Sequence, residues 1–166
     1  MSAQESPAEI IERLRLERER AEKEPPVSRV AVAVTGGRDY FPSKTELQAF
    51  WHIFQRVKGT EFHHGDAAGV DRAVARWMAR NHPEIPIFPH VAQWSVYGKR
   101  AGMIRNGAML ARVHVLVPFQ GGVGTAGCAS LARSLGKQIE SIEAEIELIW
   151  AEIEADHIDI GVWGEK

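Results

Sequence analysis

The chain has 166 residues, of which 45% are hydrophobic and 25% are charged. This length and composition are typical of one globular domain with a full hydrophobic core. The formal net charge of −2 argues against a general nucleic-acid-binding surface, so a nucleic-acid partner is not expected. No segment is long and apolar enough to span a bilayer, so membrane insertion is not expected either.

Cysteine usage and the first residues bear on the cellular compartment. The single cysteine, Cys128, excludes an intramolecular disulfide and suits a reducing environment. The polar and acidic start, MSAQESPAEI, differs from a secretory signal. We therefore expect a cytoplasmic protein.

Residues 1–28 are predicted to form a charged helical arm, and residues 29–166 to form the main domain. Glu and Arg alternate over residues 6–24 at spacings of three and four, which favours a solvated helix. Ser6 followed by Pro7 is typical of a helix start. The short apolar stripe predicts a peripheral helix, and packing against a partner subunit is the alternative.

After residue 28 the chain alternates between strand and helix patterns. Short apolar runs predict strands, with Pro86 marking a short or edge strand. Amphipathic stretches predict helices; Ser43 and Glu46 form a capping-box pair at one start, and Gly136 is expected to end another helix. The predicted elements are strand 30–34, helix 43–57, strand 61–64, helix 67–81, strand 85–88, helix 98–112, strand 113–117, helix 125–135, strand 137–142 and helix 143–155. This alternation predicts an α/β protein with a three-layer Rossmann-like fold, a mostly parallel sheet with helices on both faces.

Ligands of such folds bind at the carboxyl ends of the strands, so the loops there form the candidate site. The loop after the first strand, Thr35-Gly36-Gly37-Arg38-Asp39, combines close backbone approach with a hydroxyl and a guanidinium group. It is not the GxGxxG fingerprint of dinucleotide-binding proteins. Taken alone, it fits an ordinary glycine turn with a surface ion pair equally well.

The loop after the second strand contains His63, His64 and two aspartates. Adjacent histidines point in different directions and no third ligand accompanies them, so no metal site is expected. Asp66 and Asp71 are interpreted as acceptors for ribose hydroxyls, with helix capping as the alternative. The predicted ligand-binding residues of this loop are Gly65, Asp66, Gly69, Asp71 and Arg72.

Aromatic and basic residues follow the third strand. Trp94 and Tyr97 lie in a predicted loop, where they either stack on a base or pack on the core. Arg105, in the helix that follows, is suited to clamp a phosphate, and Asn106 comes next to it. All four are predicted ligand-binding residues.

The most informative segment is the glycine turn after the fourth strand, Gly121-Gly122-Val123-Gly124-Thr125. Backbone N–H groups at a strand–turn–helix junction converge on one point, and the helix dipole favours an anion there. Such chemistry suits a phosphate group. Together with the other loops at the same sheet edge, the turn predicts an anionic, nucleotide-like ligand.

Four segments, VTGGRDY, HGDAAGVDRAVARW, QWSVYGKRAGMIRNGAML and GGVGT, occur in this order within residues 29–142. Together they resemble the YspA-like branch of the SLOG superfamily, Rossmann-like proteins related to the LOG phosphoribohydrolases and to the DprA core. The resemblance implies a nucleotide or ADP-ribose-like ligand, no required cofactor, and a homo-oligomer with its pocket near a subunit interface. The first helix and residues 142–153 are candidate contact surfaces, although the latter segment could simply cover the sheet.

LOG enzymes cleave the N-glycosidic bond of nucleoside 5′-monophosphates. The resemblance places their arginine at Arg105, with Asn106 where a lysine would follow, and their phosphate turn at residues 121–125. Gln120 replaces the proline of that turn, and Cys128 stands where the catalytic glutamate would be. Loss of this carboxylate removes the group expected to stabilise an oxocarbenium-like transition state or to activate water.

We therefore favour a binding or sensing module over an enzyme. One alternative is N-glycosidic hydrolysis with a relocated carboxylate, for which Arg105, Asp71 and Asp66 are the catalytic candidates. Cys128 is expected to be a packed thiol rather than a nucleophile. A further alternative is DprA-like binding of single-stranded DNA, although net charge and the lack of an evident basic stripe count against it.

Overall fold

The computed structural model describes residues 9–13, 15, 16, 19 and 28–161, with side chains described up to residue 155. The described residues before position 20 are helical. The expected helix start at Ser6 and Pro7 lies outside the described residues. The division into an arm of residues 1–28 and a domain of residues 29–166 stays a prediction.

Residues 28–161 contain a five-stranded sheet and the helices that cover it. The strands are β1 (Ala31–Thr35), β2 (Glu61–His64), β3 (Ile87–Pro89), β4 (Val115–Pro118) and β5 (Gln138–Ile139). The helices are α1 (Lys44–Arg56), α2 (Val70–Asn81), α3 (Trp94–Tyr97), α4 (Ala101–Leu110), α5 (Val123–Ser134) and α6 (Ile142–Gly161), with a 3₁₀ turn over Gly98–Arg100. No helix in the described part of the chain is both long and apolar enough to cross a membrane.

All strand pairs are parallel, and the order is β3-β2-β1-β4-β5. Val32 of the central strand lies opposite Phe62 of β2 and Val115 of β4. The chain progresses in one direction from β1 to β3 and in the other from β4 to β5, which opens a crevice at the carboxyl ends of β1 and β4. This is the three-layer Rossmann-like α/β fold predicted from the sequence.

Two hydrophobic clusters hold the layers together. The cluster that includes α1, α2 and α6 is rich in large side chains, and the Phe50 ring meets the edge of Phe62 at 5.6 Å between centroids. The cluster that includes α4 and α5 uses small residues such as Ala33 of β1 and Ala129 and Ala132 of α5. Small side chains let α5 lie close to the sheet, which brings its first turn beside the end of β1.

A buried carboxylate joins α6 to α1. Glu145 is 2% exposed and accepts hydrogen bonds from Arg56, whose Nη2 lies 2.6 Å from Oε2, and from His52. Burial alone would raise the pKa of Glu145, but Arg56 and His52 outweigh it and the pKa is lowered. The same Arg56 nitrogen lies 2.7 Å from Glu140, which follows β5.

The predicted helix 67–81 begins three residues late, at Val70. Gly69 has φ +75° and Asp66 has φ +52°, so the chain turns in the left-handed region instead of starting a helix. A Cβ at Gly69 would also collide with the Gly37 carbonyl oxygen. The resulting loop brings backbone N–H groups to the carboxylate of Asp71.

Local side-chain contacts also shift other boundaries. Strand β4 begins at Val115 rather than at residue 113, because the His114 ring accepts the N–H of Ala31 at 3.0 Å. Strand β3 covers Ile87–Pro89 rather than 85–88 and is an edge strand, as Pro86 indicated. Strand β1 is displaced by one residue from the predicted 30–34.

The remaining differences lie at helix ends. The predicted loop around Trp94 and Tyr97 is the short helix α3, and the predicted helix 98–112 is divided into the 3₁₀ turn and α4. Helix α5 begins at Val123 rather than at residue 125. Ser141 caps α6 by accepting the N–H of Ala144 at 3.1 Å, which limits the strand predicted over 137–142 to two residues. The capping box of Ser43 and the positive φ of Gly136 agree with the sequence.

Candidate functional site

A cleft of about 980 Å³ opens at the carboxyl ends of β1 and β4. Its walls come from three segments: the loop that follows β1, the glycine turn with α5, and the face of α3 and α4. The fold therefore brings together segments that are far apart in the sequence at the crevice expected for this strand order.

The glycine turn is held against the β1 loop by backbone contacts. The N–H of Gly37 donates to the carbonyl of Gln120 at 2.9 Å, and the N–H of Phe119 donates to Thr35 at 2.8 Å. A Cβ on Gly121 would lie 2.7 Å from the Cβ of Thr125 and 2.8 Å from the Gly37 nitrogen. Only glycine fits at position 121, so these contacts fix the backbone conformation of the turn.

Helix α5 starts at this turn without a side-chain cap. Its N-cap residue is Gly122, which offers no side-chain oxygen to the first N–H groups. These groups have no partner within the helix, and the helix dipole adds partial positive charge. Since the turn lines the cleft, the first turn of α5 is suited to bind an anion.

Arg105 of α4 lines the cleft, held by three acceptors. Its Nε donates to Asn106 Oδ1 at 2.8 Å, and its Nη1 donates to the carbonyl oxygens of Gly65 and, at 3.5 Å, of His90. Among the described residues no acceptor is found for Nη2. The guanidinium group is thus fixed in place with one nitrogen left for a ligand.

Asp71 lies on the floor of the cleft and is 5% exposed. Its Oδ2 accepts the N–H of Gly65 at 2.8 Å and that of Ala67 at 3.5 Å. The pKa of Asp71 is raised, because the effect of burial is larger than the opposing effects of Arg105 and the two N–H groups. The Asp71 carboxylate therefore fixes the loop that contains Gly65, and the Gly65 carbonyl in turn accepts a hydrogen bond from Arg105.

The outer part of the cleft pairs a cation with an aromatic ring. The Arg38 guanidinium carbon lies 5.2 Å from the centroid of Trp94, within the range of a cation–π interaction. Trp94 is 48% exposed, and a Cβ on Gly102 would lie 3.3 Å from its ring. Lys99 adds a second positive charge to this wall. The outer part therefore offers a flat aromatic face beside two cations.

Cys128 lies on the cleft floor and is 1% exposed. Burial raises the pKa of its thiol, although a hydrogen bond with Thr35 and the charge of Arg105 act in the opposite direction. A thiol with a raised pKa is a weak nucleophile at neutral pH.

The histidines of the second loop point away from one another. His63 Nδ1 lies 2.8 Å from His90 Nε2 and its Nε2 lies 2.8 Å from Glu61, while His64 accepts the N–H of Asp66 at 3.1 Å. No group of three or more His, Cys, Asp or Glu side chains suited to a metal occurs among the described residues.

The chain has a relative of known sequence in a bacteriophage. No protein-family model matches the chain. The Gene 61 protein of Mycobacterium phage D29 is 31% identical over 112 residues, a match that covers 63% of this chain and 90% of the phage protein. The chain belongs to the family of this Gene 61 protein. The crystal structure of the structural-genomics target TM1055 aligns with a TM-score of 0.47 at 18% identity, covering 66% of this chain and 72% of that one.

In this member of the Gene 61 family, the cleft contains most of the residues singled out in the sequence. The predicted residues that line it are Thr35, Gly36, Gly37, Arg38, Asp39, Asp71, Trp94, Arg105, Asn106, Gly121, Gly122, Gly124 and Thr125. The predicted residues outside its lining are Gly65, Asp66, Gly69, Arg72 and Tyr97. Asp66 and Arg72 pair with each other instead, 3.2 Å apart.

Other residues enter the cleft without having been predicted as ligand-binding. They are Tyr40, Ala67, Lys99, Gly102, Met103, Gln120, Val123, Gly127, Cys128 and Leu131. Gly102 precedes Arg105 by three residues, about one helical turn, and Gly127 and Leu131 follow Val123 of the glycine turn by four and eight residues. Helical spacing from Arg105 and from the glycine turn was the signal that could have identified Gly102, Gly127 and Leu131.

Proposed function

We propose that this protein binds a nucleotide or a nucleotide-derived ligand in the cleft and acts as a binding or sensing module. The observation that carries the proposal is the juxtaposition of the uncapped start of α5, the fixed guanidinium of Arg105 and the exposed ring of Trp94. The first two features suit a phosphate and the third suits a planar base. The proposal requires no cofactor.

The phosphate end of the ligand would lie at the glycine turn. Backbone N–H groups of α5 and Nη2 of Arg105 would donate to its oxygens, because charge-assisted hydrogen bonds of this kind are the strong ones. Thr35 and Thr125 line the same part of the cleft and offer hydroxyl groups.

The base end would lie against Trp94. Arg38 occupies one side of the ring, and a flat heterocycle could share that position or displace the guanidinium. A volume of about 980 Å³ is at the upper end of small-molecule sites, so a ligand as large as ADP-ribose fits the available space.

The resemblance to the YspA-like branch of the SLOG superfamily supports a nucleotide-derived ligand. Its four segments contribute the glycine turn, Arg105 and Trp94 to one cleft. Cys128 takes the place of the catalytic glutamate of LOG enzymes, and its raised thiol pKa supports binding rather than hydrolysis. The single cysteine and a nucleotide ligand both fit a cytoplasmic role.

One observation favours N-glycosidic hydrolysis as a second candidate. Asp71 is a buried carboxylate on the cleft floor with a raised pKa, the property a general acid needs. Against this role, its Oδ2 is engaged by two backbone N–H groups. If hydrolysis occurs, Asp71→Asn should abolish turnover while leaving nucleotide binding measurable.

Mass spectrometry of small molecules released from the denatured protein distinguishes the two candidates. An intact nucleotide or ADP-ribose-like compound that co-purifies supports the binding module and names its ligand. Incubation with AMP and ADP-ribose, followed by chromatography, then tests turnover. Free base together with ribose phosphate would overturn the binding module in favour of an enzyme.

A further inference from the structure

One surface beside the cleft carries many uncovered apolar side chains. Those between residues 88 and 104 that are at least 37% exposed are Phe88, Val91, Trp94, Val96, Tyr97, Met103 and Ile104. We call this set the 88–104 surface. Exposed apolar side chains gathered in one short segment are typical of an interaction site in a soluble protein.

The 88–104 surface is also basic. Residues 88–104 contain no Asp or Glu and two basic residues, Lys99 and Arg100, within a longer acid-free stretch, 85–139, whose net charge is +6 with His neutral. Lys99 and Arg100 are exposed in the middle of the surface. Aliphatic side chains such as Val91 and Val96 offer no ring for a base to stack on, so the surface suits an acidic and apolar protein segment better than a nucleic acid.

Helix α6 has the complementary chemistry. Residues 142–161 contain seven Asp or Glu and no Lys or Arg, within a longer stretch, 140–166, whose net charge is −8 with His neutral. Ile142, Ile146 and Ile149 of the helix pack on the core. The outward-facing Leu148, Trp150 and Ile153 are 42–55% exposed, and they lie among exposed glutamates, Glu147, Glu152 and Glu154.

The two surfaces lie on opposite sides of the molecule. The 88–104 surface begins at β3, one edge of the sheet, and includes α4, which packs on one face. Helix α6 follows β5, the other edge, and packs with α1 on the opposite face. The outer face of α6 can therefore meet this surface only on another molecule.

We propose that α6 of one copy docks on the 88–104 surface of a second copy. Charge complementarity within the same chain identifies the occupant as another copy rather than an unrelated protein. The contact is heterologous, so a docked pair still has one free surface of each kind, and further copies extend it into a ring or an open series. Trp94 and Met103 belong to both the surface and the cleft, so the docked helix also covers one side of the cleft.

Sedimentation velocity of the full chain, from micromolar to submillimolar concentration and at low and high salt, tests this contact. One variant carries Arg100→Glu with Val96→Asp, and another carries Glu147→Arg with Glu154→Arg; none of these residues lines the cleft. Each variant alone is expected to associate at least about tenfold more weakly than the parent. An equimolar mixture of the two variants should regain association, because the unaltered α6 of the first variant can dock on the unaltered 88–104 surface of the second.

The control is Arg133→Glu, an exposed change in the same acid-free stretch but outside the 88–104 surface; it should associate like the parent. A parent that stays monomeric at every concentration would overturn the proposal. So would undiminished association of the folded α6 variant, since the 88–104 surface would then meet something other than α6. If a single-stranded oligonucleotide binds the monomer and Arg100→Glu abolishes that binding, the surface belongs to nucleic acid instead.

Discussion

At the scale of single residues, the arrangement of Arg105 explains why the cleft suits phosphate. Three acceptors hold its guanidinium group before any ligand arrives, so little side-chain entropy remains to be lost on binding. Asn106 controls the plane of the group through Nε, and Asp71 holds the loop that supplies the Gly65 carbonyl. We therefore expect these two residues to position Arg105 rather than to contact the phosphate themselves.

Substitution of Asn106 tests this arrangement. Asn106→Ala frees Nε and should weaken AMP binding about tenfold, while Arg105→Gln removes the charge and should weaken it about a hundredfold. Because Asn106 acts through Arg105, the double variant should bind no more weakly than Arg105→Gln alone. Isothermal calorimetry checks these values against Arg133→Gln as the control. Additive losses would show that Asn106 contacts the ligand independently.

The buried His64 and the half-buried His90 make stability depend on pH. Burial, the largest cause, lowers the pKa of His64 and of His90 to about 4, from an ordinary value of 6.5. The unfolded chain therefore binds more protons than the folded chain between these values, so the free energy of unfolding should fall as the pH falls from 6.5 towards 4. Urea unfolding across this range measures the effect.

His64→Asn separates this effect from general acid sensitivity. An Asn oxygen can accept the Asp66 N–H in place of His64 Nδ1 but does not titrate. The variant should therefore lose less stability than the parent between pH 6.5 and 4. Equal losses of stability in the two proteins would show that groups other than His64 cause the acid sensitivity.

At the scale of elements, the glycine turn is the part of the site that tolerates least change. Gly121→Ala would place a methyl group against Thr125 and the Gly37 nitrogen, so the turn must move. We expect a loss of about 1–3 kcal/mol in the free energy of unfolding, together with loss of phosphate binding.

Gly127→Ala is the matched control for this substitution. A Cβ at Gly127, within α5, meets nothing within 4 Å. Alanine also favours the helix, so stability should rise by up to about 1 kcal/mol. Chemical denaturation of both variants checks the pair, and equal effects would contradict the close contact at Gly121.

The attachment of α6 to α1 depends on Glu145. Glu145→Gln leaves Arg56 and His52 without their shared charged partner. We expect the free energy of unfolding to fall by about 2 kcal/mol, and not by more, because water still reaches the side chains of Arg56 and His52. Since the pKa of Glu145 is lowered in the folded protein, its stabilisation is present above the ordinary value of 4.5 and is lost as the pH falls through the folded value. Denaturation at several pH values should show a shallower acid loss in the variant, whereas the exposed Glu143→Gln should behave like the parent.

At the scale of the whole molecule, the fold was predictable because parallel strands and covering helices each leave a strong sequence pattern. The location of the cleft followed from the rule for carboxyl ends of strands. The conformation of the loops was harder to predict from the sequence. The left-handed residues Asp66 and Gly69 turn the chain so that Asp66 pairs with Arg72 and does not line the cleft. The net charge of −2 was a poor guide to the surface, because residues 85–139 carry +6 and residues 140–166 carry −8.

Thermal unfolding in the presence of AMP, ADP-ribose or inorganic phosphate tests whether the cleft binds a nucleotide through its phosphate. A ligand of the cleft at a hundred times its dissociation constant should stabilise the parent by about 2.7 kcal/mol. Arg105→Gln should lose most of this gain, while Arg133→Gln should keep it. If no nucleotide stabilises the parent, or if Arg105→Gln responds as the parent does, the cleft is not the nucleotide site proposed for it.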